Sequence, residues 1–204
     1  MSKIVREIYY FEKAGEQNTD DVVEIVGKRI SEGDVKYVIV ASTSGTTALK
    51  FAVKLHGKAQ VVCVSEPPYR REWNRPWPGI SDARKAELEK LGVIIIDNAH
   101  YVFHGTFLGE ARWSIPTTET IIRETLYSFG QGLKVAVEVV FLAVLSGRIE
   151  PYQDVIGVGG SGKGADTAAV IRASYPGFMF GKDSKKKLEI REILAMPRVK
   201  EWWD

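Results

Sequence analysis

The chain has 204 residues, 45% of them apolar and 26% charged, which is the composition of a folded globular protein with a core of ordinary size in a single domain. Its 28 Lys and Arg stand against 26 Asp and Glu, a net charge of +2, so no global field draws it to nucleic acid or to an anionic membrane, and any anion has to be held locally. The opening "MSKIVREIYYF" lacks an apolar signal core, and the greasiest run, residues 135–145, is short and carries Glu138. Cys63 is the sole cysteine, which excludes an internal disulfide and a multi-cysteine metal site, so a soluble, non-secreted, cytoplasmic protein is expected.

In chain order, a first strand is predicted over 7–11. The stretch "NTDDVVEIVGKRISEG" then reads as a helix, with Asn18 or Thr19 as its N-cap and Gly33 as its stop. A strand over 37–41 runs into "STSGTT" and the helical "ALKFAVKLHG"; the next strand is 60–64. "EPPYRREWNRPWPG" follows, with four prolines and too much Trp and Arg for an idle turn. "ISDARKAELEKLG" is capped by Ser81 and ended by Gly92, and a strand over 93–97 leads into a long connection, residues 98–116. Thr117 caps a helix. "GLKVAVEVVFLAVLSG" is apolar almost all round and reads as a buried helix whose polar exceptions, Lys134 and Glu138, sit four apart, either as an ion pair or aimed at a ligand. After a strand over 155–158 comes "GGSGKGADTAAVIRAS", read as a glycine-rich loop and another helix. A late strand over 188–194 is expected as an antiparallel edge, and "EWWD" as a packed or oligomer-facing tail. Such alternation argues an α/β fold, a mostly parallel sheet with helices on both faces and ligands at strand carboxyl ends.

Two loops suit an anion. The first turn of a helix leaves amides without partners and carries partial positive charge. At the strand-to-helix junction, Ser42, Thr43, Ser44, Thr46 and Thr47 offer five hydroxyls, and Gly45 lets the backbone approach closely; ordinary capping needs only one such hydroxyl. In the second loop, Gly157, Gly159 and Gly162 match the G-x-G-x-x-G dinucleotide pattern, but no acidic residue ends a strand about 20 residues on. Residues 157–163 also fit the first seven positions of a Walker A loop, yet Gly164 stands where a Ser or Thr would hold magnesium, which argues against a phosphotransferase. The loop is therefore read as a second phosphate or polar-ligand loop, with Lys163 as a point charge and Asp166 and Thr167 in the first turn of the helix after it.

"VIVASTSGTTALKFAVKLHGKAQVVCVS" resembles the alpha/beta C-terminal domain of pyruvate kinases, whose "TSGTT"-type loop forms part of a sugar-phosphate effector site, and "DVIGVGGSGKGADTA" resembles that domain's second effector loop. With "YYFEKAGEQNTDD", "GLKVAVEV" and "AMPR", nearly the whole chain is similar to small stand-alone pyruvate kinase alpha/beta domain-like proteins of archaea and bacteria. The resemblance implies a three-layer α/β/α fold and a phosphorylated planar ligand, most simply FMN, between the loops, with no established reaction. The phosphate would meet Ser42, Thr43, Ser44, Gly45, Thr46 and Thr47, and Gly159, Gly160, Ser161, Gly162, Lys163 and Gly164 would close the other side. Asn18 and Thr19 would also line the site. A chain of this length cannot add the (β/α)₈ barrel of about 250 residues that bears pyruvate kinase catalysis, so binding is implied and not that activity. A regulatory module that reads a sugar phosphate or nucleotide is the alternative.

Other residues read more plainly. His100 and His104 share a metal-ligand spacing, but Gly105 and the loop around them favour packing roles over a metal site. Cys63, within an apolar strand, reads as a small buried hydrophobe. Trp73, Trp77 and Trp113 serve either to stack on a flat ring or to fill loop cores and a subunit contact.

Overall fold

The computed structural model describes residues 3–103 and 116–202. Seven strands form one sheet: β1 (Tyr9–Phe11), β2 (Tyr37–Ala41), β3 (Gln60–Val64), β4 (Ile94–Ile96), β5 (Asp154–Gly159), β6 (Thr167–Arg172) and β7 (Glu189–Pro197), in the order β1-β7-β6-β5-β2-β3-β4. All pairings are parallel except those of β6, which runs antiparallel to both β5 and β7. The α/β class and the mostly parallel sheet are as expected, and β2 and β3 have the expected bounds. The first strand is shorter than 7–11.

The helices are α1 (Thr19–Ile30), α2 (Thr46–Leu55), α3 (Asp82–Lys90), α4 (Thr118–Tyr127) and α5 (Gln131–Leu145). In α1, Val22, Val23, Val26 and Ile30 make one apolar stripe, and in α2 Ala48, Phe51, Ala52 and Leu55 do the same. Both stripes pack with Leu88 of α3 against Val38, Val40, Val61 and Cys63. The opposite sheet face, Ile39, Val62, Val64, Ala169 and Ile171, is covered by α5 with Leu126 of α4 behind it. Helices thus lie on both faces. Because β2 and β3 are buried on both sides, their sequences are continuous apolar runs.

Two sequence expectations fail here. The segment after the glycine-rich loop is strand β6 and not a helix. Its run Ala168, Ala169, Val170 and Ile171 is apolar because both faces of a central strand are buried, and this pattern looks the same as that of a buried helix. The late strand β7 is antiparallel to β6 as expected but is not an edge, because β1 adds on beside it through Ala195, Met196 and Pro197. Among the described residues no helix is long and apolar enough to cross a membrane.

Arg29 ties the end of α1 to β7. Its buried guanidinium meets both oxygens of Asp34 at 2.5 and 2.9 Å and both of Glu192 at 2.9 and 3.1 Å, and holds the Asp34 carboxyl down at about 2. A carboxyl whose folded value lies below its usual 3.8 adds stability above that pH and loses it as pH falls toward 2. Asp34 is more than half exposed, so screening leaves this at about 1 kcal/mol or less. Urea unfolding of wild type and Asp34→Asn should accordingly differ at pH 6 and converge between pH 4 and 2; a gap independent of pH would mean that the ion pair contributes nothing.

Candidate functional site

With β6 the sole antiparallel strand, the carboxyl ends of β1, β2, β3, β4, β5 and β7 share one edge of the sheet, and the loops after β1 to β5 open there. From β2 the chain steps outward through β3 to β4 and then returns to place β5 on the other side of β2. Neighbouring parallel strands whose connections diverge leave a crevice between their carboxyl ends. Val40 pairs with Val158, so the turn after β2 and the glycine-rich loop after β5 hang side by side at that crevice.

The turn after β2 is held from inside. Ser42 is buried, its hydroxyl accepts from the amide of Ala48 at 3.2 Å, and its carbonyl accepts from Gly45 at 3.3 Å and from the Cys63 thiol at 3.7 Å. Ser42 therefore does the capping that one hydroxyl suffices for. The Thr43 carbonyl accepts from the Ser65 hydroxyl at 2.8 Å, and the hydroxyls of Ser44 and Thr46, both exposed, pair at 3.0 Å. Thr47 is buried. The amides of Ser44, Thr46 and Thr47 meet no acceptor among the described residues, and the first turn of α2 has no acidic side chain. Three donors and the positive end of a ten-residue helix thus face the crevice.

Gly45 has a different use from the one expected. Its φ of 79° is left-handed, and a Cβ there would stand 2.8 Å from Arg84 Cγ and 3.0 Å from Leu88 Cδ1. The missing side chain makes room for α3, not for an anion.

The glycine-rich loop is likewise reassigned. Strand β6 follows it, so no helix dipole stands behind the loop, and both the dinucleotide and the Walker A readings lose the helix they require. A Cβ on Gly157 would lie 2.6 Å from the Ala136 carbonyl, and one on Gly159 2.3 Å from that of Gly132; these glycines let α5 approach β5 closely. Asp166 and Thr167 are buried at the start of β6, not in a helical turn. Asp166 Oδ2 accepts from the amides of Gly15 at 2.9 Å and Ser161 at 3.0 Å, and Oδ1 from the Thr167 hydroxyl at 2.8 Å. Asp166 is a brace, and an anion would find no donor on it.

Asn18 and Thr19 are brought to this second loop. The Thr19 hydroxyl accepts from Ala165 N at 3.0 Å and donates to the Glu16 carbonyl at 2.7 Å, while the Asn18 amide donates to the Lys13 carbonyl at 2.7 Å. Gly164 packs on Thr19 and Glu16, and Gly160 turns back on the Gly164 carbonyl. Lys163 is mostly exposed and pairs with Glu16 at 2.9 Å. The backbone amides of Gly162 and Lys163 meet no acceptor among the described residues, and no hydrogen bond there joins this loop to residues 42–47.

Further side chains at the same sheet edge carry no motif. The segment after β3 forms a 3-10 helix, Pro68–Trp73, that buries Arg70 against Glu66. Trp73 stacks near Tyr101 with ring centroids 5.9 Å apart and meets Tyr69 edge-on at 5.4 Å, while His100 packs against Tyr69. Trp77 donates to the Asp97 carbonyl at 2.8 Å under the Arg71 guanidinium. His104 and Trp113 lie outside the described residues. Glu66 and Arg70 belong to the Trp- and Arg-rich segment 66–79 that the sequence marks as more than a turn, whereas Ser65 is signalled only by its place directly after a predicted strand end.

Lys134 and Glu138 form the expected ion pair, at 2.5 Å and fully buried, with burial pulling the Lys134 ammonium below its usual range. Glu138 Oε1 also accepts from the amides of Val102 and Phe103, at 2.9 and 2.8 Å, so the pair anchors the strand-β4 connection rather than facing a ligand. Cys63 is a buried apolar residue as read, its thiol pushed up to about 12 by burial. Cavities of about 500 and 400 Å³ open elsewhere, one at the amino ends of β2 and β3 around His56 and Lys58, the other beside β4 and the end of α5. No family model matches the chain.

Proposed function

We propose that the chain binds a phosphorylated planar ligand, FMN, at the carboxyl ends of β2 and β5. The observation that carries this reading is the set of unpartnered amides at Ser44, Thr46 and Thr47, on a helix start free of acidic groups and beside the strand-order reversal. Donors of this kind fit a phosphate, and the exposed hydroxyls of Thr43, Ser44 and Thr46 add adaptable ones. The likeness of "VIVASTSGTTALKF" and "VGGSGKGADT" to the stand-alone pyruvate kinase alpha/beta domain-like proteins supports the same ligand class. Trp73, which is 45% exposed at the same sheet edge, offers surface for a flat ring. Bound FMN would supply redox chemistry of its own, with the chain orienting it. A regulatory module reading a sugar phosphate is the second reading, favoured by the fact that the donors on residues 42–47 address the phosphate and not what it is attached to.

Purified protein decides between them. A yellow sample that releases close to one FMN per chain on denaturation bears out the first reading. A colourless sample whose melting temperature rises with fructose bisphosphate, by the several degrees that saturating ligand confers, bears out the second. Neither FMN, fructose bisphosphate nor inorganic phosphate shifting the transition would overturn both.

A further inference from the structure

Arg70 is buried, with its side chain 9% exposed, yet among the described residues its Nε and Nη1 have no hydrogen-bond acceptor. Nη1 does lie 2.6 Å from Glu66 Oε2, but that oxygen is itself without a hydrogen bond, so the contact balances charge without satisfying the donors. Native proteins seldom leave buried guanidinium donors in this state, and a missing anion is one of the standard reasons. The guanidinium also stands beside the turn that opens α2. A Cβ on Gly79 would come within 2.7 Å of Arg70 Nη1 and 2.6 Å of the Thr43 carbonyl, which makes the two close neighbours and explains why the segment from β3 to α3 carries glycine there. Glu66 has a second cation, Arg75, at 3.7 Å. Two arginines face one carboxylate, and Arg70 can turn its free donors to an arriving anion while Arg75 keeps Glu66 neutralised.

We infer that Arg70 is a direct ligand of the anion bound at the start of α2, and that it sets a preference for a terminal phosphate monoester over the same ring system without phosphate. The inference rests on the anion site proposed above. It adds a full positive charge to a cradle of amides and hydroxyls, and gives the buried donors of Arg70 an acceptor.

FMN and riboflavin differ only in the phosphate, so fluorescence titration of both against full-length protein isolates the anion contribution. Wild type is expected to prefer FMN. The double variant Arg70→Met with Glu66→Gln avoids a stranded carboxylate, and should lose about 10- to 100-fold in FMN affinity, the worth of one charge-assisted hydrogen bond, with riboflavin affinity unchanged. Arg70→Lys should restore part of the loss. If circular dichroism shows the double variant folded and it discriminates FMN from riboflavin as wild type does, the anion site stands and the role of Arg70 is overturned. If neither FMN nor inorganic phosphate stabilises wild type, the site and the role of Arg70 fall together.

Discussion

Replacing Glu138 with alanine is expected to lower the unfolding free energy by about 3–5 kcal/mol, the usual cost of stranding a buried charge. Lys134 has no exposed surface, and Glu138 is the one hydrogen-bonding partner of its ammonium among the described residues. The same substitution removes the acceptor for the Val102 and Phe103 amides, of which that of Phe103 is buried and that of Val102 partly so. For a chain of this size the loss corresponds to a fall of roughly 10 °C in melting temperature. Lys134→Met should cost less, because Glu138 then keeps two amide donors. Glu138→Gln should fall between, since it retains an acceptor for the amides but not the charge. Chemical denaturation of the three variants checks the order; a loss below about 1 kcal/mol for Glu138→Ala would show that the pair is not the anchor described.

Asp166→Ala is the second large effect, about 3 kcal/mol or more. The carboxylate is fully buried and accepts from Gly15, Ser161 and Thr167, so it joins three parts of the chain: the turn before α1, the glycine-rich loop and the start of β6. Alanine leaves the buried Ser161 amide, the partly buried Gly15 amide and the Thr167 hydroxyl without this acceptor. Asp166→Asn is expected to cost only about 1 kcal/mol, since its carbonyl can serve both amides and its NH₂ can donate to the rotated Thr167 hydroxyl. Hydrogen exchange should therefore rise over residues 15–19 and 160–165 in the alanine variant, with little change in the asparagine one. Equal destabilisation by both would mean that charge, not acceptor geometry, is what the site requires.

These two residues also show what the sequence could and could not convey. Glu138 stood out as a charge in an apolar helix, and the spacing of four from Lys134 allowed an ion pair without excluding a side chain aimed at a ligand. Nothing in the sequence revealed that residues 102 and 103, on a distant loop, would complete it. Asp166 was read as part of a helical first turn because the strand it begins is apolar on both faces. Only its hydrogen-bonded partners, β5 just before it and β7 some twenty residues later, distinguish such a strand from a helix. Where local chemistry decides, the reading held: Ser81 and Thr117 accept from Arg84 N and Thr120 N as N-caps should, and β2 and β3 have the bounds their apolar runs imply. Glycine was the harder residue to interpret. Gly45, Gly157 and Gly159 all looked like an adaptation to phosphate, yet they accommodate α3 and α5, because the need for a missing Cβ does not say which neighbour imposes it. Arg70 was one of several arginines in a Trp-rich segment, and only burial separates it from the others.

Backbone amide shifts on titration with FMN, followed by NMR on the full chain, address the binding surface directly. The expected outcome is that Ser44, Thr46 and Thr47 move first and furthest, accompanied by Gly162 and Lys163, and that riboflavin leaves residues 44–47 in place. Perturbations centred instead on the cavity around His56 and Lys58, at the opposite end of the sheet, would contradict the assignment.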